Sequence, residues 1–458
     1  MKNDVTVIGG GLAGCEAAWA LAEKGFGVAL VEMKPIKFTP AHHYKGLAEL
    51  VCSNSLKAAR IGSACGMLKA EMRLLGSLIL EAADVAAVPA GGALAVNREL
   101  FSDYITEKIE NHPLITVVCG EITEFPVKNT IIATGPLTSE ELAKAIQKQC
   151  GNPLSFYDAA APIIIADSID MSKAFFATRY GKGDADYINC PMNKEQYESF
   201  YNALVTAETV PLKAFEASIQ SDRAAEQCEN DESNIGSGKI PVYEGCMPVE
   251  VLAKRGAESV RYGCMKPVGL IDPATGHRPW AAVQLRKENV EGSAYNLVGF
   301  QTNLKFSEQQ RVFRMIPGLE NAEFARYGVM HRNTFLNSPK LLDDRFMLRN
   351  SDNVFFAGQM TGVEGYVESA MSGIIAGQSL ARRLKGEERL ELPHTTMCGA
   401  LCRYVQAENE NFQPMGANMG ILPSLDNEIR NKQERYEMIA ERGLNDLRAV
   451  LKITEKKS

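Results

Sequence analysis

Chemistry in this chain has few places to start. In ELVCSNSLKAAR, residues 49–60, a lone thiol, Cys52, ends an apolar run and opens a polar one that carries Lys57 and Arg60. Four offices are open to it: core packing, half of a disulfide, a metal ligand, or a nucleophile. Packing is the default, because free cysteine is among the most buried residue types. Nucleophilic work requires a thiolate near neutral pH, which a neighbouring positive charge favours; Lys57, Arg60, His42 and His43 are the nearby candidates. A second isolated thiol, Cys246, stands in YEGCMPVEVLAKRG. The 11 cysteines are odd in number and scattered, with no CxxC pair and no HExxH, so neither a disulfide framework nor a zinc site is expected. The CxxxxC of disulfide-reductase flavoproteins is also missing, since Cys52 and Cys65 are too far apart.

The elements that position such a thiol begin at the N-terminus. Val5 to Ile8 reads as a buried parallel strand, and Gly9, Gly11 and Gly14 then form G-x-G-x-x-G before a helix with Leu12, Ala17, Leu21 and Ala22 as apolar positions. Gly25 closes that helix, and VALVE is a second strand ending in Glu32. The first glycine permits the tight turn, the second lets backbone approach a pyrophosphate, and the third lets helix pack on strand. Free N–H groups at the helix start suit phosphate, and Glu32 suits a ribose hydroxyl. Two later stretches point to FAD rather than NAD. NTIIATGPL (129–137) resembles the returning strand of FAD-binding two-dinucleotide-fold proteins. DNVFFAGQMTGVEGYVESAMSGIIAGQSLARRL (352–384) is again strand, glycine-rich turn and helix. No second complete G-x-G-x-x-G occurs, which argues against a separate NAD(P) domain.

With 458 residues, 45% apolar and 23% charged, the chain is long enough for two or three globular domains. Its net charge of −7 weakly disfavours a generally basic surface, although a local patch is all that RNA binding needs. No signal peptide and no apolar run of roughly 18 residues is seen, so a cytoplasmic protein with reduced thiols and no membrane is expected. The organisation expected is a first FAD-binding segment over 1–137, an inserted α+β substrate domain over 138–330, a second FAD-binding segment over 331–385, and a helical C-terminal segment over 386–458. The fold class is α/β, Rossmann-like. A helix carrying Leu68, Met72, Leu75 and Ile79 on one face is expected within the first segment, and a charged amphipathic helix pair near the C-terminus. The polar, acidic stretch 220–239 reads as a surface loop.

Twelve separated motifs, in order, then become specific: GGGLAGCEAAW, TPAHH, ELVCSNSLK, VPAGGALAV, FYDAAAPI, NCPM, AETVPLK, EGCMPVEV, MKPVGL, GFQTNLK, RYGVMHRNTF and FFAGQMTGVEGYVESA. The chain resembles the folate- and FAD-dependent tRNA (uracil-5-)-methyltransferase family, TrmFO, relatives of GidA, over nearly its whole length; the 220–239 stretch looks longer and more acidic than is usual there. The resemblance implies methylation of uridine C5 in the T-loop of tRNA, at position 54. It implies FAD as cofactor, methylenetetrahydrofolate as one-carbon donor, and NADPH or NADH as reductant. It places two thiols at the flavin, Cys246 as nucleophile on uracil C6 and Cys52 as general base or proton relay, with the two roles exchangeable. The chemistry agrees, because C5 of uracil becomes nucleophilic only after a thiolate adds to C6, and a base must then take the C5 proton. Cofactor contacts are expected from Gly9, Gly10, Gly11, Leu12, Ala13, Gly14, Glu32, Thr134, Gly135, Gly358, Gln359, Gly362, Glu364, Gly365 and Ser369. His331 and Arg332, just before the closing flavin segment, are candidates for a substrate or cofactor contact. Lys57, Arg60, Lys254, Arg255, Lys266 and Arg286 are candidates for RNA phosphate. The same chemistry on ribosomal RNA, or wobble-uridine modification as in GidA-like proteins, are the alternatives. Which nicotinamide serves, which residues hold folate and the oligomeric state stay open.

Overall fold

Val5–Ile8 is apolar but for the half-buried Thr6, and it lies between two neighbours running the same way. In the computed structural model, which describes residues 4–39, 41–151, 154–181, 185–210, 247–289, 291–409, 412–427 and 429–452, five parallel strands form one sheet. Their order is Asp352–Phe356, Lys128–Ile132, Val5–Ile8, Val28–Glu32 and Ile115–Cys119. The strand from the far end of the sequence thus docks beside the first returning strand, as the FAD-type arrangement requires. Cys246 and the 220–239 stretch lie outside the described residues.

By internal contacts the chain forms two units, 1–154 with 333–458, and 155–332. The first unit runs past residue 137 because the helix Glu140–Cys150 buries Leu142 and Ile146 in the same core as the parallel sheet. The C-terminal residues belong to this unit too, with Met397, Leu401, Ile439 and Leu447 in that core.

Helices Leu12–Ala22 and Tyr366–Lys385 cross face to face on the sheet. A Cβ on Gly373 would strike the Ala13 carbonyl, and one on Gly377 would come within 2.8 Å of the Ala17 carbonyl. Small residues are therefore what permits the close approach, and the pairs run in parallel register. The fold departs from two sequence expectations. The apolar face of Leu68, Met72, Leu75 and Ile79 spans two helices, Ala64–Leu74 and Leu78–Val85, because Gly76 turns with φ +81° and Ser77 caps the second helix by accepting from Leu80 N. Near the C-terminus, Lys432–Leu451 is one continuous helix of 20 residues and not a pair. Gly443 does not break it, because it packs there against Met67 and the Thr395 carbonyl, where a side chain would not fit.

The second unit is built on a six-stranded antiparallel sheet, in the order Phe175–Phe176, Tyr187–Met192, Ala281–Lys287, Ala294–Leu297, Ile163–Ile165 and Phe324–Arg326. Helix Lys194–Val205, started by an Asn193–Gln196 capping box, buries Tyr197, Phe200 and Leu204 in that unit's own core with Phe300 and Phe313. Among the described residues, no helix is long and apolar enough to cross a membrane.

Candidate active site

The cleft of the first unit opens at the carboxyl ends of its parallel strands, the place where doubly wound sheets bind ligands. It encloses about 1150 Å³ of atom-free space, part of it open to solvent. Gly9, Gly10, Gly11, Leu12 and Ala13 line it from the first turn, Glu32 from the second strand, Thr134 and Gly135 from the returning strand, and Gly358, Gln359 and Ser369 from the C-terminal segment.

The residues present fit a dinucleotide. Helix Leu12–Ala22 starts at Gly11 with no side-chain cap, leaving its first N–H groups for an anion. A Cβ on Gly11 or on Gly135 would meet nothing within 4 Å, so backbone at both places faces open space. Gly14 does not line the cleft; a Cβ there would collide with the Gly9 carbonyl, so its office is to let helix pack on turn. Glu32 is buried, and its carboxylate accepts from Gly10 N at 2.6 Å and Lys34 N at 2.9 Å, which ties the end of the second strand to the glycine turn. Gly362, Glu364 and Gly365 also stand outside the lining. Gly362 abuts the Phe412 ring, Glu364 accepts from Gln359 Nε2 at 2.5 Å, and Gly365 is the N-cap of the long helix.

Cys52 reaches this neighbourhood through a tethered loop. Ala48 N donates to Gly10 O at 2.8 Å, the buried Lys34 ammonium donates to Gly46 O at 2.5 Å, and Leu47 N donates to Thr106 Oγ1 at 2.9 Å. Val51, one residue before the thiol, lines the cleft. Cys52 itself is half-buried, and the Tyr366 hydroxyl holds it: Cys52 N donates to that oxygen at 2.7 Å, Ser53 N at 3.2 Å, and the hydroxyl donates to Cys52 Sγ at 3.0 Å. Burial first, and then the thiol's charge, push the Tyr366 phenol well above its usual range, while the charge of Arg98 pulls the other way. Tyr366 therefore keeps its proton at neutral pH and acts on the sulfur as a donor.

The positive groups expected around Cys52 are placed as follows. Lys57 pairs with the buried Glu368 at 3.1 Å, Arg60 is exposed, and His42 lines the cofactor cleft with its Nδ1 2.5 Å from Thr39 Oγ1. Burial lowers the His42 pKa, which favours the neutral imidazole. His43 is exposed and its N–H binds Glu49. Sequence reasoning missed Tyr366 as a partner of the thiol. In GVEGYVES the sequence singles out Gly362, Glu364, Gly365 and Ser369 as cofactor contacts and passes over Tyr366. The other nearby thiol, Cys65, is pushed up by burial. Among the described residues no group of three or more His, Cys, Asp or Glu is placed to hold a metal.

A family model described as glucose inhibited division protein A matches residues 4–388. The chain belongs to the GidA family. Within it, methylenetetrahydrofolate--tRNA-(uracil-5-)-methyltransferase TrmFO of Enterococcus faecalis is 55% identical over 447 residues, covering 97% of this chain and 98% of the relative. TrmFO of Heliobacterium modesticaldum is 56% identical over 446 residues, covering 97% of each. Among solved structures, Aquifex aeolicus GidA superposes with a TM-score of 0.68 at 17% identity, covering 99% of this chain and 74% of that one, which bears on the GidA fold alone.

Proposed function

We propose that this GidA-family chain methylates C5 of a uridine in tRNA, in the T-loop at position 54, using FAD and methylenetetrahydrofolate with NADPH or NADH as reductant. The observation that carries the proposal is Cys52, held by Tyr366 beside a cleft with a dinucleotide fit, in a chain more than half identical end to end to TrmFO proteins. When bound, the flavin and folate supply the one-carbon unit and the electrons that make it a methyl.

The chain's own residues do the rest. The glycine turn and the capless helix start bind phosphate, and Glu32 orients the cofactor's ribose. One thiolate, Cys246 in this proposal, adds to uracil C6, so that electron density moves to C5, which attacks the one-carbon unit. Cys52, as thiolate, takes the C5 proton; the electron pair left at C5 reforms the C5–C6 double bond and expels Cys246. Tyr366 donates to Cys52 and steadies its charged form before that transfer. A uridine stacked in a folded loop must be flipped out to reach such a site.

The test is reconstitution. Purified protein is incubated with FAD, methylenetetrahydrofolate, NADPH and a tRNA transcript, and 5-methyluridine is quantified after digestion. Wild type makes 5-methyluridine; Cys246→Ala and Cys52→Ala each lose it, and the intact nucleophile traps an RNA adduct with a 5-fluorouridine transcript. Full transfer by Cys246→Ala refutes the nucleophile assignment, and activity confined to ribosomal RNA refutes the substrate.

A further inference from the structure

The second unit carries a surface that the chemistry above does not use. Residues 254–287 hold seven Lys or Arg against two acids, a net charge of +5 in a chain whose total is −7. They follow the short helix Val249–Ala253 and include the helix Ala257–Tyr262, the turns after it, and the strand Ala281–Lys287. The excess of positive charge is gathered here against the overall sign of the protein, which suits a polyanion.

Aromatic rings stand among these cations. The Arg261 guanidinium lies over the Trp280 ring at 3.6 Å from its centroid, and Arg261 Nε donates to the Trp280 carbonyl at 3.0 Å. The same guanidinium lies 5.0 Å from the Tyr262 centroid, and Lys194 Nζ stands 5.7 Å from the Trp280 centroid. Tyr262 is 56% exposed, so a ring backed by a fixed cation is offered to solvent. Lys254, Lys266 and Arg278 are exposed on the same stretch of chain, whereas Arg286 is buried at 7% and belongs to the sheet. Exposed aromatic faces interleaved with cations are how proteins hold unpaired nucleotides, by base stacking plus phosphate attraction. An apolar protein partner would need a continuous greasy patch, and an acidic peptide would leave the exposed ring without a stacking partner.

We infer that the Lys194–Arg261–Tyr262–Trp280 cluster, with Lys254, Lys266 and Arg278, is the docking surface for tRNA, with an unpaired base stacked on Tyr262. The inference rests on the proposed function, and it names where in the second unit the substrate is gripped. Of the phosphate candidates Lys57, Arg60, Lys254, Arg255, Lys266 and Arg286, this surface takes Lys254 and Lys266, while the buried Arg286 is not part of it.

The experiment is tRNA-transcript binding by the full-length protein, measured by fluorescence anisotropy at several salt concentrations. Lys254→Ala with Lys266→Ala and Arg278→Ala weakens binding more than tenfold at 100 mM salt and flattens the dependence of log Kd on log salt by about three, one for each lost phosphate contact. Tyr262→Ala weakens binding about 5- to 30-fold with the slope unchanged, and Tyr262→Phe, which keeps the ring, binds as wild type. Melting curves matching wild type confirm that these exposed changes leave the fold intact. A triple variant with wild-type affinity and slope overturns the surface, and an unaffected Tyr262→Ala overturns the stacking. If wild type methylates the transcript while the variants bind it normally, this inference alone falls. If wild type neither binds nor methylates it, the proposed function fails and this surface with it.

Discussion

Tyr366→Phe isolates one hydroxyl that serves three partners. It removes the acceptor for Cys52 N and Ser53 N and the donor to Cys52 Sγ, while the ring stays to line the cleft. A hydrogen bond to a charged group is worth about 1.5–3 kcal/mol, and the half-exposed sulfur argues for the low end of that range. About 1.4 kcal/mol is a factor of ten in an equilibrium. At pH 7 the thiolate population of Cys52 in Tyr366→Phe is therefore about tenfold smaller, and methyl transfer that depends on it falls by a similar factor. The assay is iodoacetamide alkylation across a pH series, with the Cys52 peptide quantified by mass spectrometry. Alkylation of the variant slows at neutral pH and converges with wild type at high pH, where both thiols are ionised. A variant profile that overlays wild type refutes the reasoning. So does faster alkylation at every pH, which is the signature of a loosened loop.

Glu32→Ala removes the carboxylate that joins Gly10 N to Lys34 N, so FAD retention, read as the ratio of 450 nm to 280 nm absorbance after gel filtration, falls at least tenfold. Two buried carboxylates outside the site make stability pH-dependent. Glu16 accepts from Leu78 N and Ile79 N, Glu71 accepts from Met397 N and Cys398 N, and burial pushes both up to about 7. An acid whose folded pKa lies above its unfolded one keeps a proton that unfolding releases, so its contribution is fully present below about 4.5 and is lost as pH rises through about 7. The urea midpoint accordingly falls between pH 5 and 7.5, and Glu71→Gln, which cannot titrate, reduces that slope; an unchanged slope contradicts the assignment.

The sheet and its cofactor turn were legible because their signals are local: an apolar run, three glycines at fixed spacing, a terminal acid. Gly14 acts on Gly9, five residues away, and Glu32 reaches back to Gly10 within the same strand–helix–strand unit. Tyr366 was not legible. It lies 314 residues from Cys52, and nothing in its own neighbourhood marks it as the thiol's partner. Lys57, close in sequence to Cys52, pairs with Glu368 of the long helix, a partner that its own neighbourhood in the sequence does not mark. Gly76 and Gly443 show why glycine alone does not punctuate a helix. The first has a positive φ to adopt and breaks the chain, while the second has a tight neighbour to accommodate and does not.

Two parallel rods joined along a seam of glycine and alanine, Ala13 on Gly373 and Ala17 on Gly377, bring like ends of their peptide dipoles side by side. That alignment is mutually repulsive, and the close packing along the seam has to outweigh it. Chain segments some 360 positions apart are thus cemented by the absence of side chains, and any methyl added to that seam would pry them apart.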